Sequence, residues 1–385
     1  MNFTPFIALS ALLHGYIGWR VLPALAPHPW AQMVLAGLLL ASALCLPLGM
    51  LAHRVARPPL AGVLTWVGLI FMGLFSSLLV LTLLRDAALL VLLLAHWLLP
   101  EGLPLGGLLY WSALAVPLGG LLATVLGFWN ARRTAAIVRV DVPIKGLPAA
   151  LHGFSVAQIT DVHVGPTIRR SYLSRIVSRV NSLDADMVAI TGDLVDGRVH
   201  ELAAHVAPLA ELSSRHGTYF VTGNHEYYSG AHAWIDELRR LGVQVLMNEH
   251  VVLQPSGERG SATLVVAGVA DWSAHHFDPA HRSDAVAALA GAPAHASLRL
   301  LLAHQPRSAA AAAAAGFDLQ LSGHTHGGQF WPWNLFVRLQ QPYTAGLHQL
   351  DGLWVYTSRG TGYWGPPKRF GAPSEITFLR LVTAA

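Results

Sequence analysis

The chain has 385 residues and a formal charge of +4, and 53% of its residues are hydrophobic whereas only 12% are charged. A typical soluble domain carries about 25% charged residues, so this composition excludes a wholly soluble globular protein. It also excludes intrinsic disorder, which needs low hydrophobicity and high net charge. Lysine and arginine form no basic run, so we expect no nucleic-acid partner. With a single cysteine, Cys45, any metal must be held by histidine, aspartate and asparagine.

The first 130 residues predict a membrane anchor. They contain only six charged residues, which are Arg20, Arg54, Arg57, Arg85, Asp86 and Glu101. Four segments have the roughly 20 apolar residues that a bilayer span needs, namely Phe3–Leu22, Trp30–Leu51, Leu60–Leu84 and Gly106–Trp129. We therefore predict a transmembrane bundle of about four helices over residues 1–130, in an inner or plasma membrane. The shorter apolar stretch Ala87–Leu99 predicts an interfacial or re-entrant segment, with a fifth membrane helix as the alternative.

The arginines in the connections between these segments indicate an orientation. With four helices, one side of the membrane carries five of them, Arg54, Arg57, Arg132, Arg133 and Arg139. The other side carries Arg20 and Arg85. Because positive residues favour the cytoplasmic side, we expect the remainder of the chain to be cytoplasmic, and a fifth helix would reverse this expectation.

Residues 131–150 predict a linker with a first strand, and residues 151–385 predict a soluble α/β domain in which apolar strands alternate with helix-period segments. The predicted strands are Phe154–Thr160, Met187–Thr191, Thr218–Thr222, Val243–Met247, Val251–Gln254, Leu264–Val269, Leu298–Ala303, Leu319–Ser322 and Leu353–Thr357. The predicted helices are Ile168–Asn181, a segment around residues 202–212, Ala231–Leu241 and the alanine run Ala309–Ala315.

Five polar clusters follow these apolar strands. They are Asp161 with His163, Gly192-Asp193, Gly223-Asn224-His225-Glu226, the lone His304, and Gly323-His324-Thr325-His326-Gly327-Gly328. Ligands of α/β sheets bind outside the carboxyl ends of strands, so these clusters are expected to converge on one crevice. Two divalent cations about 3.5–4 Å apart need a bridging carboxylate together with neutral nitrogen and oxygen ligands, and the clusters supply these groups.

In that order, the five blocks resemble the pattern of the calcineurin-like metallophosphoesterase family, and the resemblance extends from about Val138 to the C-terminus. The Gly-His-Thr-His-Gly-Gly-Gln block and the segment Ser358–Gly362 are similar to its membrane-anchored branch. That branch includes phosphodiesterases and lipid A pathway pyrophosphohydrolases that act on UDP-2,3-diacylglucosamine. The resemblance implies a two-sheet αββα sandwich.

The resemblance also implies roles for individual residues. One cation would be held by Asp161, His163, Asp193 and His326, and the other by Asp193, Asn224, His304 and His324, with Asp193 as the bridge. The two cations, drawn from Mn, Fe and Zn, would activate water for in-line attack on phosphorus. His225 would then donate a proton to the leaving oxygen.

Other side chains are weaker candidates for the substrate pocket. These are Tyr227, Arg307 and Arg359 for substrate binding, together with Tyr228, His275 and His276. The short basic loop Pro366–Arg369 could face lipid headgroups.

The sequence thus predicts a membrane-anchored dimetal phosphoesterase that hydrolyses a phosphodiester or pyrophosphate bond, for example in a lipid-linked substrate of the UDP-diacylglucosamine type. One alternative is a broad-specificity phosphodiesterase whose anchor only sets its location. Another is a membrane sensor whose soluble domain binds metal without turnover. The sequence does not indicate an oligomeric state.

Overall fold

The computed structural model describes residues 3–57, 59–98, 105–257 and 260–384, which divide into two compact units. The helical unit holds the residues up to Asn130 together with Gly365–Phe370. The α/β unit holds Ala131–Trp364 and the residues from Gly371 onward.

The helical unit has four long apolar helices, α1 (Thr4–Val21), α2 (Pro29–Val55), α3 (Leu60–Leu98) and α4 (Leu105–Arg132). Within the described residues, four helices are long and apolar enough to cross a membrane, as predicted. The interpretation of residues 87–99 was wrong, because residues 87–98 continue α3 without a break and Leu99 lies outside the described residues. The 39 residues of α3 extend about 58 Å, which exceeds the roughly 30 Å hydrocarbon core of a bilayer.

Charged groups among these helices pair with one another. Asp86 on α3 accepts hydrogen bonds from Arg20 Nε at 2.8 Å and from the Tyr16 hydroxyl at 2.6 Å. Arg85 is buried and donates to Ser112 Oγ at 3.0 Å. Ionisable groups on apolar helices are tolerated when they are paired in this way.

The loop Pro366–Arg369 belongs to the helical unit. Lys368 and Arg369 are buried, and Lys368 Nζ donates to the Gly73 carbonyl at 2.7 Å and to Thr124 Oγ1 at 3.4 Å. The expectation that this loop faces lipid headgroups was therefore wrong for these two side chains. The Lys368 ammonium is instead hydrogen-bonded by polar groups of α3 and α4, which sequence periodicity does not reveal.

The α/β unit has fourteen strands within the described residues. They are β1 (Ala136–Ile144), β2 (Ser155–Ile159), β3 (Met187–Ile190), β4 (Thr218–Phe220), β5 (Gln244–Val245), β6 (Glu249–Leu253), β7 (Ser256–Gly257), β8 (Gly260–Ser261), β9 (Leu264–Gly268), β10 (Leu298–Leu302), β11 (Leu319–Ser322), β12 (Gly346–Leu350), β13 (Leu353–Thr357) and β14 (Glu375–Thr383). Its helices are α5 (Arg170–Asn181), α6 (Val199–Val206), α7 (Asn224–Ser229), α8 (Ala231–Arg240) and α9 (Ala309–Ala315).

Two six-stranded mixed sheets organise these strands. The first has the order β1-β14-β2-β3-β4-β5, and β2 to β5 run parallel. The second has the order β12-β13-β11-β10-β9-β6, in which β13, β11, β10 and β9 run parallel. This arrangement brings the carboxyl ends of β2, β3 and β4 to one edge, and those of β10 and β11 to one edge of the other sheet.

The core has three apolar layers, as expected for a two-sheet sandwich with helices outside. Side chains of both sheets, among them Val156, Met187, Leu300 and Leu321, form one cluster. Two further clusters pack α5, α6 and α8 on the first sheet and α9 on the second. Burial of strand residues on both faces explains why the parallel strands are continuous apolar runs in the sequence.

Most predicted elements are present, but several differ, and β7, β8 and α7 were not predicted. The strand predicted at Val243–Met247 is reduced to two residues, and the helix predicted around residues 202–212 becomes a short 3₁₀ turn after Val206, because proline follows at Pro208. Neither β12 nor β14 was predicted. β12 forms a hairpin with the next strand, β13, across the turn Asp351-Gly352, whereas β14 pairs with distant segments and lies between β1 and β2.

Candidate metal centre

The predicted site residues follow the carboxyl ends of five strands, as expected. Asp161 and His163 come after β2, and Asp193 comes after β3. Asn224 and His225 begin α7 after β4, His304 follows β10, and the two remaining histidines follow β11.

The first group contains the side chains of Asp161, His163, Asp193 and His326. His163 Nε2 lies 3.0 Å from His326 Nε2 and 3.9 Å from Asp193 Oδ2. His326 Nε2 lies 3.4 Å from Asp161 Oδ1. The potential ligand atoms of Asp161, His163 and His326 all lie within 4.8 Å of one another.

The second group shares Asp193 with the first. His304 Nε2 is 3.2 Å from Asp193 Oδ2 and 3.2 Å from His324 Nδ1. His304 Nδ1 donates to the Thr191 carbonyl at 2.8 Å, which leaves Nε2 facing Asp193. The same carboxylate oxygen, Asp193 Oδ2, thus faces a histidine of each group.

The backbone at these residues is unusual. Five of the seven predicted ligands adopt a positive φ between 50° and 68°, namely Asp161, His163, Asp193, His324 and His326. This left-handed conformation is uncommon for residues other than glycine and costs about 1–3 kcal/mol each. Strain concentrated on one crevice is typical of a functional site.

Two observations test whether these residues fit a pair of cations. Buried Asn224 Oδ1 has no hydrogen-bond partner among the atoms that the structure describes, although buried carbonyl oxygens are normally satisfied. In addition, histidine ring nitrogens face each other at 3.0 Å and 3.2 Å, an arrangement expected of atoms that converge on a shared cation. The donor set of imidazole nitrogens, carboxylates and an amide oxygen suits Mn, Fe or Zn. The residues therefore fit.

Glu226 and Gly223 hold Asp193, the predicted bridge, in place. The buried Glu226 carboxylate accepts hydrogen bonds from the backbone N–H groups of Asp193, Leu194 and Gly223, at 3.0, 2.8 and 2.6 Å. A Cβ on Gly223 would lie 2.2 Å from Asp193 Oδ1, so only glycine permits this approach.

Asp196 is a site residue that the sequence reasoning missed. Its Oδ1 accepts from His225 Nδ1 at 2.6 Å and faces His163 Nδ1 at 3.1 Å. It therefore orients the predicted catalytic histidine and one predicted ligand, in the manner of the carboxylates that hold metal-bound histidines. The signal available in the sequence was a second aspartate in the block Gly-Asp-Leu-Val-Asp-Gly.

The electrostatics of this pair favour a protonated His225. Burial would lower the pKa of His225, but the hydrogen bond to Asp196 and the charge of Asp193 raise this pKa to about 9. Burial would raise the pKa of Asp196, but the charge of His163 and the hydrogen bonds from both histidines lower this pKa to about 2. Bound cations would lower the pKa of His225 again, because they repel its positive form.

The weaker substrate-binding candidates lie in different surroundings. Tyr227 is buried, and its hydroxyl lies 2.9 Å from His281 Nδ1. Arg307 donates to the Gln340 carbonyl, and Arg359 Nε donates to Glu375 Oε2 at 2.7 Å. Each of these three groups is thus held by a partner within the α/β unit.

Two exposed aromatic rings flank His225. The Tyr228 ring centroid is 5.1 Å from that of His225, and the Trp364 centroid is 5.6 Å away. Tyr228 was a candidate from the sequence, whereas Trp364 was missed because it lies in a loop far along the chain. Together they give the predicted catalytic histidine an apolar rim.

Comparisons with known proteins identify relatives of this chain. The profile described as calcineurin-like phosphoesterase matches residues 154–328. "Transmembrane protein with metallophosphoesterase domain" of Danio rerio is 39% identical over 279 residues, 71% of this chain and 63% of that protein. The protein of the same name from Bos taurus is 42% identical over 281 residues, 71% of this chain and 62% of that protein. The chain thus spans less than two thirds of the length of these two relatives.

A bacterial relative is covered almost completely. An uncharacterized metallophosphoesterase of Aquifex aeolicus is 30% identical over 264 residues, 68% of this chain and 97% of that protein. The family binds divalent metals, and the chain has the apolar helices of a membrane-associated member. The chain belongs to the calcineurin-like phosphoesterase family.

Proposed function

We propose that the two groups hold two divalent cations bridged by Asp193, and that the centre hydrolyses a phosphodiester or pyrophosphate bond. The observation that carries this proposal is the position of Asp193 Oδ2, which lies 3.2 Å from His304 Nε2 and 3.9 Å from His163 Nε2. One carboxylate oxygen thus faces a ligand nitrogen of each group, as a bridge requires. Asn224, whose Oδ1 is buried without a hydrogen-bond partner among the described atoms, completes the second group.

In the proposed reaction, the cations, His225 and Asp196 would have separate roles. When bound, the cations would lower the pKa of water and neutralise charge on the phosphoryl oxygens. His225 would hold the proton that passes to the leaving oxygen, and Asp196 would keep the ring oriented through its contact with Nδ1. The other ring nitrogen, Nε2, lies 4.0 Å from Asp193 Oδ2 and faces the centre.

Substitution of the bridge tests this proposal. Asp193→Asn keeps the side-chain size but removes the charge shared by both groups. We expect full-length protein in detergent to lose hydrolysis of an aryl phosphodiester and to bind fewer cations by elemental analysis, with unchanged circular dichroism. Wild-type turnover in the variant would refute the assignment. Adding back Mn, Fe or Zn separately after chelation would identify the metal.

We further propose a lipid-linked substrate, because an exposed apolar loop adjoins the site. This loop, residues 331–339, begins five residues after His326. Its exposed side chains are Trp331, Trp333, Leu335, Phe336 and Leu339. The loop packs on the ligand block, since a Cβ on Gly328 would lie 2.2 Å from the Asn334 Cα. Tryptophans exposed beside an arginine, here Arg338, are typical of segments at a membrane surface.

The apolar loop allows a direct test of substrate class. We expect Trp331→Ser/Trp333→Ser to lower kcat/KM at least about tenfold for a lipid-linked pyrophosphate in mixed micelles, because each tryptophan loses apolar contact worth about 1–3 kcal/mol. Turnover of a soluble aryl diester should not change. Val286→Ser, which alters another exposed apolar residue, is the matched control. Equal losses on both substrates would contradict a lipid-linked substrate and favour the broad-specificity phosphodiesterase.

We propose that the α/β unit, which contains the metal centre, lies on the cytoplasmic side of the membrane. Four spanning helices place both ends of the bundle on one side, and the arginine count of five against two favours the cytoplasm for that side. A reporter fused to the C-terminus that is active only in the cytoplasm tests this directly. Activity of a reporter that works only outside the cytoplasm would overturn it.

The non-catalytic alternative predicts a different result. A membrane sensor would bind cations at the same residues but would turn over no phosphoester. The set of predicted ligands together with the oriented His225 favours catalysis. Turnover of any phosphodiester that Asp193→Asn abolishes would eliminate the sensor.

A further inference from the structure

A second cluster of histidine and aspartate lies outside the paired-metal centre. It consists of His232 in the first turn of α8, with Asp278 and His281 in the segment that follows β9. His232 Nε2 is 3.0 Å from Asp278 Oδ2, and His281 Nε2 is 3.9 Å from the same oxygen. All three potential ligand atoms lie within 4.8 Å of one another.

The spacing of these atoms is close to that of a zinc coordination shell. Zinc binds imidazole nitrogen at about 2.0–2.1 Å, so neighbouring ligand atoms of a tetrahedral site lie about 3.3 Å apart. The two measured separations fall on either side of that value. The His232 side chain is 73% exposed and can move the small distance that closure on an ion requires.

Neighbouring groups fix the orientation of two of the three side chains. His281 Nδ1 lies 2.9 Å from the Tyr227 hydroxyl, which directs Nε2 toward Asp278. Asp278 Oδ1 accepts from the Ala280 N–H at 2.9 Å, which leaves Oδ2 facing the histidines. Metal-bound histidines normally have their second ring nitrogen hydrogen-bonded in this way.

We propose that His232, Asp278 and His281 form a third cation site, which takes zinc with water in the fourth position. Two nitrogens and one carboxylate with an open position are a common ligand set for zinc. The site connects α8 to the 278–281 segment. Through His281 it also contacts Tyr227 in α7, the helix that begins with Asn224 and His225.

Zinc counting on the full-length protein in detergent tests the proposal. After chelation, the protein is dialysed against buffered free zinc, and bound zinc is measured per chain by elemental analysis. We expect His232→Ala and, separately, Asp278→Asn each to bind one zinc per chain fewer than wild type. His276→Ala, which removes an exposed histidine from the same segment, should bind as much as wild type.

The outcome separates this site from the paired centre. Repeating the count in an Asp193→Asn background should give the same difference of one zinc, whether or not the protein hydrolyses phosphoesters. Equal zinc content in wild type, His232→Ala and Asp278→Asn would overturn the proposal. So would an equal loss in His276→Ala, because it would indicate nonspecific binding to surface histidines.

Discussion

The contact between His225 and Asp196 predicts that substituting either residue slows hydrolysis to an extent that depends on the leaving group of the substrate. If His225 donates the proton, His225→Ala should slow hydrolysis of an alkyl phosphodiester by about 10²- to 10⁴-fold, the usual contribution of general acid catalysis. A nitrophenyl diester should lose much less, because its leaving oxygen needs little protonation. Asp196 acts through a hydrogen bond from His225 Nδ1 of 2.6 Å. A hydrogen bond to a charged group is worth about 1.5–3 kcal/mol, so Asp196→Asn should cost about 10- to 100-fold on the alkyl diester.

The assay is kcat/KM for both diesters at saturating cation, so that the contact of Asp196 with His163 does not limit metal occupancy. The double variant Asp196→Asn/His225→Ala should be as slow as His225→Ala alone, because residues that act as one unit are not additive. His200→Ala, which alters an exposed histidine, is the control. Fully additive losses, or equal losses on the two diesters, would refute the pairing of acid and orienting carboxylate.

Three further predictions concern the cations and two glycines, Gly223 and Gly68, that neighbouring atoms approach closely. Chelation should abolish hydrolysis with little change in circular dichroism, and added divalent cation should restore it; retained activity after complete metal removal, measured by elemental analysis, would contradict a metal centre. Gly223→Ala should lose bound cation and activity while keeping the fold, because its Cβ would lie 2.2 Å from Asp193 Oδ1; elemental analysis and kcat measure both effects, and wild-type values would show that the loop adapts. Gly68→Leu should lower the free energy of unfolding of the helical unit in detergent by about 1–3 kcal/mol, and with it the melting temperature. The reason is that a Cβ at this position would lie 2.5 Å from the Gly49 Cα. Gly62→Leu, with nothing within 4 Å of its Cβ, is the control on the same helix, and equal melting temperatures of the two variants would contradict the close packing.

Local signals in the sequence were enough for much of the fold and for the site prediction. Long apolar runs predicted the four helices, because a bilayer span needs a fixed length of apolar residues. Apolar runs that end in polar clusters predicted the parallel strands, because such strands are buried on both faces and bind ligands at their carboxyl ends. Those clusters contained the seven predicted ligands that the structure brings to one crevice.

Groups that depend on distant chain segments were decided by the tertiary structure. Asp196 gained its role only when the β3 loop met α7, and Lys368 became buried only against helices almost 300 residues earlier in the chain. His232 and His281 face one aspartate although 49 positions separate them.

The two kinds of information differ for a physical reason. Hydropathy and periodicity report how each segment meets solvent or its own backbone, which a run of neighbouring residues determines. The pairing of Asp196 with His225, or of β14 with β1 and β2, depends on which segments the sheet order makes adjacent. The sequence by itself therefore determined most of the elements and the types of ligand, whereas the strand order of the first sheet decided which carboxylate orients which histidine.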